Sequence, residues 1–522
     1  MPMSKVETSI LGFARGEKGN LLFHSKDPRT GDQLETAYAH ASESEISKAC
    51  ELAEKASLPM ASLGGMEKAK FLRNLADRLD SLVEELVAIM PLETGLPEPR
   101  VRAETGRTSG QLRMFARLLE TGNWVDARID RAQPERQPMP KPDLRAMLRP
   151  VGPVAVFCAS NFPLAFSVAG GDSASAWAAG CPVIVKAHHA HPGTALLVGR
   201  AVSEAVRECK LPEGAFSMLY GSGSTVGKSL VTDPAIRAVG FTGSRSGGRA
   251  LFDLANARPE PIPVFAEMSS INPVFVLPNL AESQLEEFVS DLSASATLGV
   301  GQFCTNPGIV FHPGGDFGSR LIDLYLRKMK QVEAGPMLHS GIRESFDQGL
   351  NRMEASKDIA VVLRSEIDTQ GCLAGPCILK TKLEDFLTDT TMHEEVFGPA
   401  TLMVEYEDAN ELMKVAEKLE GQLTASFFGT IEDLNAHADL VESLETKAGR
   451  LIFNQFPTGV EVCGAIVHGG PYPATTDGRS TSVGEGAILR FVRPVCYQGF
   501  PDDLLPEALR EANPLGITRS ES

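Results

Sequence analysis

The sequence lacks the features that mark secreted, nucleic-acid-binding and targeted proteins. Its nine cysteines are odd in number and include no CxxC pair, which argues against a disulfide framework and indicates a reducing compartment. It has no basic block, and 67 acidic against 50 basic residues give a net charge of −17, so nucleic acid and anionic membranes are poor partners. The first twenty residues show no signal-peptide core and no amphipathic transit sequence. We therefore expect a cytoplasmic protein.

One uncharged stretch, residues 151–171, is long enough to suggest a membrane span. Pro153, Asn161 and Pro163, followed by the glycine pair at 170–171, argue against a continuous helix there. The stretch instead predicts a buried strand, a loop and the start of a helix.

What is present is the pattern of a large α/β protein. A length of 522 residues, with 43% hydrophobic and 22% charged, predicts at least two domains. Residues 44–95 and 101–120 repeat apolar side chains at helical intervals. From residue 152 short apolar runs alternate with helical stretches, and a second alternating region spans about 268–465. Such series predict two lobes, each with a parallel sheet, whose ligands bind beyond the carboxyl ends of the strands.

Two glycine-rich turns follow strands of the first lobe. Gly223 and Gly227 lie in YGSGSTVGKSL, and in FTGSRSGG Ser244 caps a helix whose first turn contains Gly248. Free amides at such a helix start attract a pyrophosphate. Each turn is equally consistent with a plain connection, and the GxGxxG spacing is absent. The turns alone therefore leave cofactor binding open.

Three side chains have the chemistry of a nucleophile, a base and an oxyanion donor. Cys304 lies in the glycine-flanked loop TLGVGQFCTNPG, where a thiol can be reached. Glu267 and Asn161 each follow a β-rich run, so both stand at strand ends. Taken singly, a packed thiol, a solvated carboxylate and a turn-capping amide explain them equally well.

Three histidines, His188, His189 and His191, are close together in KAHHAHPGT. No carboxylate or cysteine accompanies them at ligand spacing, so we expect no metal site. No Ser/His/Asp signature is present either.

Read in order, the motifs ASNFP, PVIVK, FTGS with Gly248, Glu267, GQFCT, EEVFGP and the IFN strand resemble the aldehyde dehydrogenase superfamily over nearly the whole chain. The resemblance implies an α/β fold of two Rossmann-like parallel-sheet lobes plus a small β oligomerisation element, in a homodimer or homotetramer. The implied domains are dinucleotide-binding (1–131 and 152–267), catalytic (268–480) and oligomerisation (132–151 and 481–505).

The resemblance also implies a role for each matching residue. Cys304 would be the attacking thiolate, Asn161 and the amide of Cys304 the oxyanion donors, and Glu267 the base for the hydrolytic water. NAD(P) would be the cofactor, with the adenosine ribose at Lys186, the pyrophosphate at Ser244 and the nicotinamide end at the EEVFGP turn. The implied cofactor residues are Lys186, His189, Gly223, Gly227, Phe241, Thr242, Gly243, Ser244, Gly248, Glu395 and Phe397.

A departure from the family pattern bears on the cofactor. His189 stands where members that prefer NAD commonly have a glutamate, which binds both ribose hydroxyls. Without that carboxylate a 2′-phosphate is not repelled, and Lys186 or Lys228 can attract it. We expect a preference for NADP, with NAD as the alternative.

The tail HGGPYPATTDGRSTSVGEGAILRFVRPVCYQ and NQFPTGVEV are similar to the α-ketoglutaric semialdehyde (2,5-dioxopentanoate) dehydrogenases of bacterial sugar-acid breakdown. An anionic substrate needs a cation, for which Arg107 and Arg113 are candidates, although arginines on a helix are usually solvated. The other candidate substrate residues are Phe162, Phe166 and Phe303.

Three alternatives stay open. The KAHxAHPGT loop resembles NADP-dependent long-chain aldehyde dehydrogenases of luminous bacteria. A second reading is a non-catalytic binding protein with this fold. A third is reduction of an acyl phosphate or acyl-CoA, which would not need Glu267.

Overall fold

The computed structural model describes residues 6–365, 367 and 371–522. Within these residues the α-helices are α1 (Glu43–Ser62), α2 (Gly65–Ser81), α3 (Val83–Thr94), α4 (Glu98–Thr121), α5 (Gly171–Ala179), α6 (Pro192–Glu208), α7 (Lys228–Thr232), α8 (Arg245–Asn256), α9 (Leu285–Thr297), α10 (Gly315–Met329), α11 (Ser340–Glu354), α12 (Leu383–Phe386), α13 (Leu412–Lys418), α14 (Ile431–Ala436) and α15 (Ala438–Glu445).

The strands in the same part of the chain are β1 (Val6–Glu7), β2 (Ile10–Leu11), β3 (Ala14–Arg15), β4 (Leu22–Phe23), β5 (Ala37–Ala39), β6 (Arg128–Asp130), β7 (Leu144–Pro150), β8 (Val154–Phe157), β9 (Val183–Lys186), β10 (Phe216–Leu219), β11 (Ala238–Thr242), β12 (Val264–Glu267), β13 (Val274–Val276), β14 (Ile309–Pro313), β15 (Gly335–Pro336), β16 (Ala360–Arg364), β17 (Leu373–Ala374), β18 (Cys377–Lys382), β19 (Ala400–Tyr406), β20 (Gln422–Phe428), β21 (Ala448–Phe453), β22 (Val492–Gln498) and β23 (Ser520–Glu521).

The first four helices confirm the helical pattern read from the sequence. Ser42 begins α1 with a capping box, because its side chain accepts from the Glu45 amide and the Glu45 carboxylate accepts from the Ser42 amide. Helix α2 buries Phe71, Leu72 and Leu75 on one face, against the core shared with the first sheet.

The first sheet has the strand order β12-β11-β8-β9-β10-β2-β3, and β12 to β10 are parallel as predicted. The antiparallel strands β2 and β3 were not predicted, because two-residue strands leave no periodic signal. The uncharged stretch 151–171 contains β8 and a loop, and α5 begins at Gly171, as expected. Among the described helices, none combines the length and apolar character needed to cross a bilayer.

The second sheet has the order β16-β18-β19-β14-β13-β20-β21, with β16 as an antiparallel edge. Stacked rings hold its centre together, since Phe275 lies 5.0 Å from Phe311 and 5.6 Å from Phe427 between ring centroids. The apolar runs INPVFVLP, GIVFHPG, ASFFGT and RLIFNQF, which predict strands, coincide with β13, β14, β20 and β21, whereas no strand is predicted at β16, β18 and β19. The two parallel sheets confirm the predicted fold class.

A small sheet of order β22-β7-β6-β23 joins the antiparallel pair β6 and β7 to the last two strands, β22 and β23. Strand β7 pairs antiparallel with β22 along all seven residues. The element is larger than the predicted segments 132–151 and 481–505, because β6 begins at Arg128 and the apolar residues Leu509 and Ile517 pack beneath it. Its part in oligomerisation stays a prediction.

Candidate active site

The loop that carries Cys304 follows α9 and turns through three consecutive residues with left-handed backbone. Gly299, Val300 and Gly301 have φ of 57°, 60° and 66°. For Val300 this conformation is strained, because its side chain is β-branched. A Cβ on residue 301 would lie 2.3 Å from the carbonyl oxygen of Gly398, so only glycine fits this approach. The loop is thus fixed against the turn that contains EEVFGP.

Asn272 fixes the other side of the same loop. Its Nδ2 donates to the carbonyl oxygen of Cys304 at 2.8 Å and to that of Asn306 at 2.9 Å. Two backbone acceptors are thereby satisfied by one buried amide, which orients Cys304. Asn272 was not singled out from the sequence.

Glu267 and Cys304 meet as predicted, and a third residue lies between them. His468 Nε2 lies 3.3 Å from Cys304 Sγ and 2.9 Å from Glu267 Oε1. Ser482 Oγ donates to Glu267 Oε2 at 2.6 Å and to the His468 carbonyl oxygen at 3.1 Å. The thiol, imidazole and carboxylate therefore form one buried group with Ser482 as its support.

Sequence reasoning missed His468. It lies 164 residues from Cys304 along the chain, in a loop without periodic pattern. Its only signal was its place at the start of HGGPYPAT, a motif used above for resemblance alone. No residue pattern predicts a ring nitrogen at the thiol.

The local electrostatics keep the thiol protonated and the carboxylate charged. Burial and the nearby charge of Glu267 raise the pKa of Cys304 well above its usual value, and Arg107 opposes this. Burial alone would raise the pKa of Glu267, but His468 and Ser482 hold it below the usual value. Proton transfer away from Cys304 therefore needs an acceptor, and His468 is in contact.

Asn161 lies in the loop after β8, beside the Cys304 loop. Its Nδ2 donates to the carbonyl oxygen of Gln302 at 3.1 Å, and its own carbonyl oxygen accepts from Arg100 at 3.3 Å. The amide is half-buried. The amide therefore lies beside the loop that carries Cys304, and its role as an oxyanion donor stays a prediction.

Aromatic rings and two arginines line one wall near Cys304. The ring of Phe162 lies 5.3 Å from those of Phe166 and Phe303. The guanidinium of Arg107 lies 5.4 Å from the Phe162 ring and 5.7 Å from Phe166, and that of Arg100 lies 4.4 Å from Phe162 and 4.9 Å from Phe303. We call these five side chains the aromatic–arginine wall.

Of the two arginines expected at the substrate, the structure brings one to the site. Burial lowers the pKa of Arg107, and the charge of Glu104, followed by those of Cys304 and Glu267, partly offsets this. The prediction for Arg113 was wrong: it donates to Asp77 and Asp80 on the face of α2. Arg100 was missed.

The predicted cofactor residues lie along the carboxyl edge of the first sheet and across the cleft. Lys186 ends β9 and is 7% exposed, and His189 is exposed in the loop that follows. Ser244 Oγ accepts from the Gly247 amide at 3.2 Å and begins α8. Residues 223–227 form a single helical turn capped by Ser222.

The remaining cofactor residues extend this edge. Phe241 and Thr242 end β11 beside exposed Gly243, and Gly248 packs against Met268. In the turn from the second lobe, Phe397 is half-buried and burial raises the pKa of Glu395 to about 8.

These residues fit a dinucleotide. Within the described chain Thr242 Oγ1 is buried without a hydrogen-bond partner, and no carboxylate acts on the pKa of Lys186, which burial lowers. The start of α8 lies beside this hydroxyl, at the end of β11. Unsatisfied donors at a helix start suit a phosphorylated ligand.

A thiol with an adjacent base and an amide donor, facing a dinucleotide cleft, defines a cysteine-dependent oxidoreductase. The model of the aldehyde dehydrogenase family matches residues 13–475. The chain belongs to this family, whose members oxidise aldehydes with NAD(P).

Two relatives are similar over nearly the full length. The chain is 48% identical to alpha-ketoglutaric semialdehyde dehydrogenase 2 of Azospirillum brasilense over 494 residues, 94% of each chain. It is 45% identical to alpha-ketoglutaric semialdehyde dehydrogenase of Acinetobacter baylyi over 487 residues, 92% of this chain and 91% of the relative.

Solved structures share the fold at lower identity. The 1-pyrroline-5-carboxylate dehydrogenase from Thermus with bound NAD matches with a TM-score of 0.80 at 20% identity, covering 95% of this chain and 93% of that one. The 3,6-anhydro-L-galactose dehydrogenase in complex with NAP matches with a TM-score of 0.80 at 19% identity, covering 95% and 100%.

Proposed function

We propose that this enzyme oxidises α-ketoglutaric semialdehyde to α-ketoglutarate and prefers NADP to NAD. The main observation in favour of this substrate is the aromatic–arginine wall beside Cys304. The names of the two relatives support the same substrate.

The wall suits a short chain with an anionic end. The substrate has an aldehyde at one end and a carboxylate next to a ketone at the other, and a guanidinium binds a carboxylate through two parallel hydrogen bonds. Within the described residues Arg107 Nε is buried without a hydrogen-bond partner. A long-chain aldehyde would leave this buried N–H without an acceptor, which disfavours that alternative.

The reaction begins at the thiol. In the tautomer of His468 that carries its proton on Nδ1, Nε2 accepts the proton of Cys304, and the imidazolium that forms then donates from Nε2 to Glu267. The thiolate adds to the aldehyde carbon, and Asn161 Nδ2 with the Cys304 amide donates to the resulting alkoxide. A thiohemiacetal on Cys304 is the first intermediate.

When bound, NAD(P)⁺ supplies the hydride acceptor that makes this step an oxidation. The product on the protein is a Cys304 thioester. Glu267, ionised by its contacts with His468 and Ser482, takes a proton from the attacking water, and the acid leaves with Cys304 restored. The presence of Glu267 favours hydrolysis over acyl-phosphate or acyl-CoA chemistry.

The cofactor is expected along the edge described above. Lys186 would bind the adenosine ribose, Ser244 with the start of α8 the pyrophosphate, and Glu395 with Phe397 the nicotinamide ribose and ring. His189 in place of a carboxylate supports NADP. We further propose a cytoplasmic homodimer or homotetramer joined through the small sheet.

The test is cofactor reduction by the purified protein. α-Ketoglutaric semialdehyde and a long-chain aldehyde are compared, each with NAD and NADP. Cys304→Ala should abolish turnover, and Glu267→Gln should accumulate a thioester visible by mass spectrometry. Preference for the long-chain aldehyde would overturn the substrate, and cofactor binding without turnover of any aldehyde would favour a binding protein.

A further inference from the structure

Three side chains of the kinds that bind zinc converge in the candidate active site from separate segments of the chain. Cys304 lies in the loop after α9, Glu267 ends β12, and His468 lies in the segment between β21 and β22. One atom of each lies within 4.8 Å of the corresponding atoms of the other two. Thiolate, imidazole and carboxylate are all ligands that zinc accepts. We call these three side chains the catalytic triangle.

The contacts within the triangle leave one acceptor unsatisfied. The Oε1 atom of Glu267 is buried and accepts no hydrogen bond from the described residues, although His468 Nε2 lies only 2.9 Å away. In the tautomer that accepts the Cys304 proton, Nε2 presents a lone pair to this oxygen, so two acceptors face each other. A buried carboxylate oxygen without a donor is costly. A cation between the three atoms satisfies all of their lone pairs at once.

The spacing of the triangle is close to that of a tetrahedral zinc site. Bonds of about 2.3 Å to sulfur and about 2.0–2.2 Å to nitrogen and oxygen place the ligand atoms about 3.4–3.6 Å apart. Cys304 Sγ lies 3.3 Å from His468 Nε2, which lies 2.9 Å from Glu267 Oε1. Increases of about 0.3–0.5 Å in these distances therefore admit the ion. Mg²⁺ and Ca²⁺ prefer oxygen ligands, so the sulfur and nitrogen favour zinc.

Hydrogen bonds on the outer side of the triangle hold two of its ligands in place. Ser482 Oγ donates to Glu267 Oε2 at 2.6 Å, which leaves Oε1 as the oxygen nearest the imidazole. Asn272 Nδ2 donates to the carbonyl oxygen of Cys304 at 2.8 Å. Outer contacts of this kind orient metal ligands before the ion binds.

The charges of the triangle match those of a divalent ion. The thiol proton passes to solvent as the Zn–S bond forms. The resulting thiolate and the Glu267 carboxylate together neutralise Zn²⁺, so the buried site gains no net charge. Arg107 and Arg450, whose charges interact with Cys304, therefore meet a neutral complex instead of a dication.

A second group of possible ligands in the described chain suits zinc less well. His188, His189 and His339 also bring one nitrogen each within 4.8 Å of the others, but none of them is an anion. Lys186 acts on the His188 and His189 rings as a nearby positive charge. His188 Nδ1 accepts the Ala190 amide at 3.1 Å, which puts the ring proton on Nε2 and leaves no free lone pair.

We propose that the catalytic triangle is also an inhibitory zinc site, at which Zn²⁺ binds reversibly to Cys304 Sγ, His468 Nε2 and Glu267 Oε1. Three protein ligands leave a fourth coordination position for water. The ion occupies the sulfur that attacks the aldehyde and the nitrogen that accepts its proton, so turnover stops until the ion leaves. Zinc binding of this kind depends on neither the identity of the aldehyde nor that of the cofactor, and so goes beyond the proposed function.

The test measures zinc binding to the whole chain without aldehyde or cofactor. Competition with a zinc-chelating dye should give one Zn²⁺ per chain and a dissociation constant of about 1 µM or below. At free Zn²⁺ about ten times that constant, alkylation of Cys304 by iodoacetamide should slow about tenfold, and EDTA should restore the rate. Co²⁺ in place of Zn²⁺ should give a thiolate-to-metal charge-transfer band, which reports the bond to sulfur.

Glu267→Gln and His468→Gln keep polar side chains of similar size and should each weaken zinc binding more than about 100-fold, because losing even an outer contact costs about 10–100-fold. Ser482→Ala, which removes such a contact, should weaken it about 10–100-fold. His339→Gln, in the second group, is the matched control and should leave the constant unchanged.

Unchanged zinc affinity in Glu267→Gln or His468→Gln would overturn the proposal, because zinc would then bind the thiol alone or another site. Alkylation of native Cys304 at the same rate with and without Zn²⁺ would also overturn it, and so would a loss of affinity in His339→Gln. These measurements use no substrate, so their failure is distinct from a failure to oxidise the proposed aldehyde.

Discussion

Replacing His468 with glutamine removes the proton acceptor that contacts Cys304 while keeping a polar side chain of similar reach. In the native protein the imidazole nitrogen lies 3.3 Å from the thiol and 2.9 Å from Glu267. Glutamine can still hydrogen-bond to Glu267 but cannot accept a proton at pH 7. The variant therefore tests thiol activation with little change in packing.

The expected loss follows from the protonated state of the native thiol. Burial and the charge of Glu267 raise the pKa of Cys304 well above its usual value, so its alkylation at pH 7 depends on His468 as proton acceptor. A positioned base contributes about 10²–10⁴-fold to such a step. We expect alkylation of Cys304 by iodoacetamide to slow by about 10²–10⁴-fold at pH 7, and to recover about tenfold per pH unit up to the thiol pKa.

Alkylation is followed by mass spectrometry of the peptide that contains Cys304, and the burst of reduced cofactor is measured in the same preparations. The burst should slow by about 10²–10⁴. Ser482→Ala, which removes the hydrogen bonds to Glu267 and to the His468 carbonyl oxygen but keeps the imidazole, should slow both processes less. Native alkylation rates in His468→Gln at pH 7 would show that the imidazole does not activate the thiol, and the reasoning would fail.

Three other substitutions test the aromatic–arginine wall, a buried ion pair outside the site and the cofactor preference. Arg107→Gln should raise KM for α-ketoglutaric semialdehyde about 10- to 150-fold, since a hydrogen bond to a charged group contributes about 1.5–3 kcal/mol. KM for uncharged short aldehydes should not change, and the control Arg113→Gln should change neither value. Equal effects of Arg107→Gln on both substrates would contradict the wall as a carboxylate site. Asp172→Asn leaves Arg490, its partner at 2.7 Å, buried without a countercharge, so urea denaturation should show a loss of about 3–5 kcal/mol, and an unchanged midpoint would refute this. His189→Glu should lower the ratio of kcat/KM for NADP to that for NAD at least about tenfold, because a carboxylate would repel the 2′-phosphate; a steady ratio would place that phosphate elsewhere.

The parts of the site that the sequence predicted are those with local signals. Cys304 lies in a loop, and Glu267 and Asn161 lie at strand ends. The ordered motifs favoured catalytic roles for all three over a packed thiol, a solvated carboxylate and a turn-capping amide. His468 joins them only through a chain reversal that no periodicity records. His339 likewise comes from the second lobe to within 5.1 Å of the His189 ring, a contact that the loop sequence KAHHAHPGT does not predict.

The arginines show where a local signal was present and unused. Arg100 and Arg107 are seven residues apart, two turns of α4, so they lie on one face. Arg113 is six residues beyond Arg107 and is turned well away from that face. Helical spacing alone would have selected the first pair and rejected Arg113.

The backbone contact between Gly301 and Gly398 limits how this enzyme can be re-engineered. Because any Cβ at residue 301 would lie 2.3 Å from the carbonyl oxygen of Gly398, the nucleophile loop and the turn after Phe397 leave no room for new side chains between them. The two arginines that α4 contributes to the aromatic–arginine wall contact other side chains instead of backbone. Libraries that seek new aldehydes should therefore vary residues 100 and 107 and leave the glycines of the loop alone.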